Sequence, residues 1–313
     1  MSQHGGQPWE PGARLDDVLA ERGALTNLAY RLLGSLTEAE DAVQEAYARW
    51  FALAPGSRSA IVSPGAWLTT VTSRICLDML GSARVRRERY VGEWLPEPVP
   101  DRTEWPGHVT ADAPVDPADR ITLDESVDMA FLVVLEAMTP AERVCFLLHD
   151  VFRYSFTEVA EMVGRSPGAC RQLASSARRR LEQERHRAVP EQRRTALVRE
   201  FKQAWQDADV AALVRLLDPE AAAVADGGGR ASASPVPIEG GRQVAGYLAE
   251  LAVRAGSLDL RERTVNGQPG LVAVLGTELL AVYSFEFRDD RIDRIWVVRN
   301  PDKLRAWAGL ELG

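Results

Sequence analysis

Residues 139–181, TPAERVCFLLHDVFRYSFTEVAEMVGRSPGACRQLASSARRRL, carry three helix starts in close succession. Thr139-Pro140-Ala141-Glu142 sets a capping threonine, a first-turn proline and a glutamate three residues after the cap. Ser155-Phe156-Thr157-Glu158 repeats the capping box, and Ser166-Pro167 repeats the cap with its proline. Each cap contributes about 1 kcal/mol, so together they set helix boundaries more firmly than stability. Gly164 can take the positive φ that a sharp stop requires. Val159 and Val163 before it, with Cys170 and Leu173 after it, supply apolar positions that lock two helices across the turn. The spacing predicts a helix-turn-helix.

The outward face of its second helix indicates what it touches. With Ala169, Cys170 and Leu173 turned inward, Arg171, Gln172 and Ser175 point out, with Arg165 and Ser166 at the turn. Arg and Gln at such positions read guanine and adenine edges in the major groove. Arg178, Arg179, Arg180, Arg185 and Arg187 follow and suit phosphates, which position a helix without specifying sequence. A solvated basic helix end favoured by the helix dipole is the plainer alternative. Caps, turn and exposed polar set all agree on DNA. The stretch resembles region 4 of a bacterial sigma factor of the extracytoplasmic-function (ECF) type. That resemblance implies binding to the −35 promoter element and to the RNA polymerase flap. A helix-turn-helix alone serves a repressor equally, so the rest of the chain must arbitrate.

At 313 residues, with 46% hydrophobic residues, the chain has material for two or three packed domains. A net charge of −8 would argue against a DNA binder if it were evenly spread. The basic residues instead concentrate after 84 and after 165, while 93–119 is mostly acidic. Cys76, Cys145 and Cys170 lack CxxC spacing and sit in apolar helical patterns, as buried thiols of a reducing cytosol do. No metal or other cofactor is expected. The sequence has no signal peptide and no long apolar run, so a cytoplasmic protein without membrane contact is expected.

From Leu15 to Arg89 the pattern is helical, with Leu25, Leu28, Ala29 and Leu32 in helical spacing, Gly34 as a stop and Thr37-Glu38-Ala39-Glu40 as a capping box. The next helix places Val43, Ala46, Tyr47 and Trp50 on one face and Asp41, Gln44 and Glu45 on the other. Ser63-Pro64 caps a further helix with Leu68, Val71, Ile75 and Met79 inward, Trp67 in the core, and Arg84, Arg86, Arg87 and Arg89 at its end. AEDAVQEAYARWF, residues 39–51, is similar to the region 2 helix with which sigma factors grip the polymerase clamp. The resemblance implies that Asp41, Gln44 and Glu45 make that contact. It also implies that the following basic helix reads the −10 element as single strand, with a base flipped into the loop at 54–63. A basic helix tracking phosphates beside a loop pocket for an unstacked base suits that task.

Residues 90–120 are rich in proline and acidic side chains, which forbid a packed helix and keep the chain extended. Trp94-Leu95-Pro96-Glu97-Pro98 stands apart, because an exposed Trp-Leu pair in a spacer costs solvation unless it docks.

Beyond Arg187, helices around Ala196–Trp205, Asp209–Leu217 and Val244–Ala252 precede strands at Leu258–Val265, Leu271–Gly276, Leu279–Phe287 and Ile292–Val298, with Asp289-Asp290 turning the last hairpin. This order predicts an α+β cone. It resembles the SnoaL-like fold, which implies an apolar pocket and a place for a small apolar ligand. Asp226, in Asp226-Gly227-Gly228-Gly229-Arg230, is the candidate carboxylate if the cone were an enzyme. No histidine lies beyond His186, and the glycines more simply imply a tight turn that another backbone approaches. The tail Asn300-Pro301-Asp302-Lys303-Leu304 starts a short helix. WLPEP, DGGGR and NPDKL together resemble the SigJ-like subgroup of ECF sigma factors, which carry a fused SnoaL-like domain. The resemblance implies a regulatory role for that domain.

The expected chain is therefore multidomain. Sigma region 2 occupies 14–90, an acidic linker 91–120, region 4 with its helix-turn-helix 121–187, and an α+β SnoaL-like domain 193–313. The function expected is promoter-specific initiation with RNA polymerase core, without catalysis by this chain. The rivals are a sigma factor whose cone is also an enzyme or ligand sensor, and a repressor acting without polymerase.

Overall fold

The computed structural model describes residues 18–87, 90–100, 128–183, 189–255, 258–308 and 310. Arg89, Arg185, Arg187 and most of the acidic linker lie outside the described residues, as do the side chains of Arg84, Arg86 and Arg87.

Helices α1 (Arg22–Leu33), α2 (Leu36–Ala52), α3 (Pro55–Ser59) and α4 (Pro64–Arg87) form the first helical unit. The second has α5 (Met129–Glu136), α6 (Pro140–Phe146) running into a π-turn at Leu147–Val151, α7 (Phe156–Val163) and α8 (Pro167–Gln183). The capping boxes at Thr139 and Ser155 form as the spacing predicts, and Gly164 closes α7 at φ 67°. Two details differ from the sequence reading. Helix α2 is capped by Ser35, whose Oγ accepts the Glu38 N–H, two residues before the Thr37 box. Gly34, at φ 68°, turns the chain so that Ser35 is already extended and takes the cap. On α4 the fully buried stripe is Leu68, Thr72, Ile75, Cys76 and Leu80, while Val71 and Met79 are only half-buried.

The two units share one hydrophobic core, in which Leu25, Leu28, Val43 and Trp50 join Val144, Leu147, Val159 and Cys170. Each unit also caps a helix of the other with an arginine. Arg143 donates to Leu32 O at the end of α1 (2.7 Å), and Arg74 donates to Met162 O (2.8 Å) and Glu161 O (2.9 Å) at the end of α7. Last-turn carbonyls lack helical partners, so these bonds satisfy groups that would otherwise need water.

The C-terminal unit has α9 (Glu191–Gln206), α10 (Val210–Leu216), β1 (Leu217–Asp226), β2 (Ile238–Glu239), α11 (Gly241–Ala255), β3 (Asp259–Val265), β4 (Gln268–Leu275), β5 (Glu278–Arg288) and β6 (Arg291–Val298). The strands order as β2-β1-β6-β5-β4-β3, antiparallel except for β1 beside β6. Both faces of this sheet are covered. Ala281, Tyr283, Phe285 and Ile295 face the helices, packing with Phe201, Trp205 and Leu248. Val282, Trp296 and Val298, on the opposite face, pack with Leu95, Met129, Leu304 and Trp307. Successive residues of a strand point to opposite faces, so a doubly covered strand reads as a continuous apolar run such as Leu271–Val274. The linker and α5 thus lie on the cone's outer face.

Candidate nucleic-acid interface and linker latch

Helix α8 buries Cys170, Ala174 and Ala177 and exposes Arg171, Gln172, Ser175 and Arg179, with Arg165 and Ser166 exposed at the turn before it. Ser166 Oγ accepts the Ala169 N–H at 3.2 Å, which starts the helix at Pro167. The Arg171 guanidinium stands 5.3 Å from the Phe156 ring centroid, so an aromatic on α7 backs it. Arg178 behaves differently. Its guanidinium forks onto Asp150 at 2.7 and 3.2 Å, and it is only half-exposed. Arg180 donates to Ala137 O at 2.9 Å. Of the arginines at 178–180, Arg179 is the one that stands exposed without such a contact among the described residues.

On α2, Asp41, Gln44 and Glu45 are exposed along one face, opposite buried Val43, Ala46 and Trp50. Glu45 pairs with Arg49 at 2.9 Å across one helical turn. Trp67 is half-buried and packs 5.3 Å from Trp50. The three cysteines are free and buried, and burial raises the Cys145 thiol to about 12.

The residues singled out in WLPEP, DGGGR and NPDKL meet at one place. Asp226 ends β1 fully buried, and its carboxylate accepts the Tyr90 hydroxyl (2.6 Å), the Leu95 N–H (2.9 Å) and the Lys303 ammonium (2.7 Å). Lys303 also donates to Leu95 O and stands 4.0 Å from the Trp94 ring centroid. Asp226 O receives the N–H groups of Arg299 and Asn300. Gly228, at φ 58°, is needed because a Cβ there would strike the Asn300 side-chain amide and Tyr90 Oη. Arg230 and Asp302 form an exposed ion pair at 3.1 Å, and Leu304 is buried beside Leu95. Pro96 is buried with them, while Gly227 and Gly229 shape the turn and Pro301 is exposed.

Further along, the linker is gripped from two sides. Ser35 Oγ and the Leu36 N–H both donate to the Glu97 carboxylate, at 2.6 and 2.8 Å, and the Glu97 N–H donates to Gly34 O. Tyr30 Oη donates to Glu97 O and accepts from Asn266 Nδ2. Asn266 and Val99 exchange two more bonds, and Trp307 Nε1 donates to Pro98 O at 2.8 Å. Burial raises the Glu97 carboxyl above the usual range, against the pull of the Ser35 and Leu36 donors. Tyr30, Ser35, Tyr90, Asn266 and Trp307 were not among the site residues expected from sequence. Asn266-Gly267 carries a hairpin-turn signal, with φ of 52° and 72°, but nothing local says that the turn also binds the linker.

Two family models match: Sigma-70 region 2 over residues 18–86 and Sigma-70, region 4 over residues 128–181. The ECF RNA polymerase sigma factor SigJ of Mycobacterium tuberculosis is 36% identical over 300 residues, which is 91% of this chain and 91% of that protein. The "Probable ECF RNA polymerase sigma factor SigI" of the same species is 35% identical over 93% of this chain and 95% of that protein. The crystal structure of M. tuberculosis SigJ superposes with a TM-score of 0.71 at 33% identity, covering 95% of this chain and 100% of that one. The similarity therefore runs through both helical units, the linker and the cone, and the chain belongs to the ECF RNA polymerase sigma factors.

Proposed function

We propose that this sigma factor grips the core polymerase clamp through Asp41, Gln44 and Glu45 and meets the flap through region 4. Arg165, Ser166, Arg171, Gln172 and Ser175 read the −35 duplex, and Arg179 meets its phosphates, while Arg178, paired with Asp150, lies beside them without neutralising one. Arg84, Arg86 and Arg87 track the −10 single strand. In this reading 14–90 is region 2, 91–120 the linker, 121–187 region 4 and 193–313 the regulatory cone. Polymerase supplies the chemistry, and the chain acts by binding in the cytoplasm. No helix among the described residues is long and apolar enough to cross a membrane.

One observation carries the regulatory part. The linker that joins the two promoter-reading units is held by Asp226 and Lys303 of the cone on one side and by Gly34, Ser35 and Leu36 on the other. The cone thereby sets how those units stand to each other, and a change at the latch changes promoter output. The test is run-off transcription by purified core polymerase plus this protein across a genomic promoter library. Selective initiation supports the reading, and transcription no different from core alone contradicts it.

A further inference from the structure

The cone holds a cavity of about 120 Å³ between α11 and the helix-facing side of the sheet. Leu248, Leu251, Ile295 and Val297 are among the apolar residues of its wall. Tyr247, Tyr283 and Arg299, together with Ser232 and Ser234, break that apolar lining. Tyr283 is only 4% exposed, its ring is held edge-on by Trp205 at 5.1 Å, and its hydroxyl has no hydrogen-bond partner among the described residues. A hydroxyl that faces the cavity without a protein partner is free to bond an occupant of that cavity. Arg299 uses one donor on Ser232 O, and among the described residues no carboxylate lines the cavity to balance its charge. The remaining fork suits a planar anion that can take two parallel bonds.

We propose that this cavity is a binding site for a small carboxylic acid with a body about the size of one ring. At about 120 Å³ the cavity falls below the roughly 150 Å³ that holds one benzene molecule, so one ring is the upper limit for the body and the carboxylate stands at the rim beside Arg299. Charge supports the class: the carboxylate meets Arg299 and Tyr283, and the apolar body meets Leu248, Leu251 and Val297. The position gives an occupant leverage. Ala225 and Arg299 line the cavity, while their chain neighbours Asp226 and Asn300 face the linker on the other side of the sheet. Strand alternation thus places the cavity and the latch one residue apart. The site lies in the domain that the proposed function treats as regulatory, but its existence does not depend on transcription.

The experiment titrates the full-length protein with benzoate, toluene and methyl benzoate while following the methyl signals of Ala273 and Ala281, which line the cavity. Benzoate is expected to shift both methyls saturably. Arg299→Gln should weaken benzoate by about tenfold or more, the loss of a charge-assisted bond, and change toluene by less than about twofold. Tyr283→Phe should weaken benzoate several-fold. Should Arg299→Gln fail to fold, wild-type protein still decides, because methyl benzoate keeps the ring without the charge and should bind about tenfold more weakly. Unmoved methyls up to about 10 mM benzoate would overturn the proposal. So would equal affinity for benzoate and its ester, or an equal loss of benzoate and toluene in Arg299→Gln. No readout involves polymerase or promoter, so a failure here leaves the sigma reading standing, and a failure of transcription leaves this site standing.

Discussion

Asp226 and Lys303 are buried charges, and burying each costs several kcal/mol unless its bonding capacity is filled. Here it is filled: the carboxylate takes a hydroxyl, an N–H and the ammonium, and the ammonium adds a carbonyl and the Trp94 face. Removing one partner strands the other. Asp226→Ala should therefore destabilise the full chain by about 3–5 kcal/mol in urea unfolding, and a loss below about 1 kcal/mol would contradict the latch as drawn. Glu97 gives the opposite pH signature from an ordinary paired carboxylate. Its folded pKa is raised, chiefly by burial, so the folded chain binds this proton more tightly than the unfolded one. Its contribution is fully present below the unfolded value near 4.5 and is lost as pH rises through the raised folded value. Glu97→Gln cannot titrate, so the stability difference between variant and wild type should move in the variant's favour across that window. Parallel curves of stability against pH would reject this.

At the scale of elements, α8 divides its arginines by partner. Arg171→Ala should weaken −35 binding by about 1–3 kcal/mol and relax preference at one base pair. Arg179→Ala should weaken all sequences alike and lower the salt slope by about one. Arg178 is already matched by Asp150, so its removal should leave the salt slope nearly unchanged. Binding isotherms over a salt series separate the three, and equal selectivity in all of them would reject the assignment. On α2, Asp41→Ala with Glu45→Ala should abolish capture of core polymerase and spare −35 binding, since both side chains are exposed. Normal pull-down would make that face a solvated surface only. These elements were legible because their signals are local: capping boxes, a stop glycine and a 3.6-residue stripe. Strand β1 was not legible. Leu217–Asp226 is alanine-rich with a proline at 219, lacks the β-branched pattern of a strand, and is extended because β6 pairs with it from far along the chain. The latch was half legible. Trp94 and Leu95 in a polar spacer demanded a partner, but Tyr30 and Asn266, separated by 236 residues, meet only in the fold.

Across the whole molecule, the linker is a strap between the end of α1 and the cone, and α5 lies against the same outer sheet face. The reciprocal arginine caps and the shared core hold region 2 and region 4 together beneath it. Two cuts act on this assembly differently. Deletion from Asn300 removes Lys303, Leu304 and Trp307, so the linker loses the cone's grip while the sheet remains. Deletion from about residue 193 removes the entire outer face on which Leu95 and Met129 are buried. The direct measurement is run-off transcription from one promoter by core polymerase with full-length protein and each truncation at matched concentration. Control by the docked cone predicts output above full length for the shorter deletion and below it for the longer one. Equal output from all three proteins would contradict it.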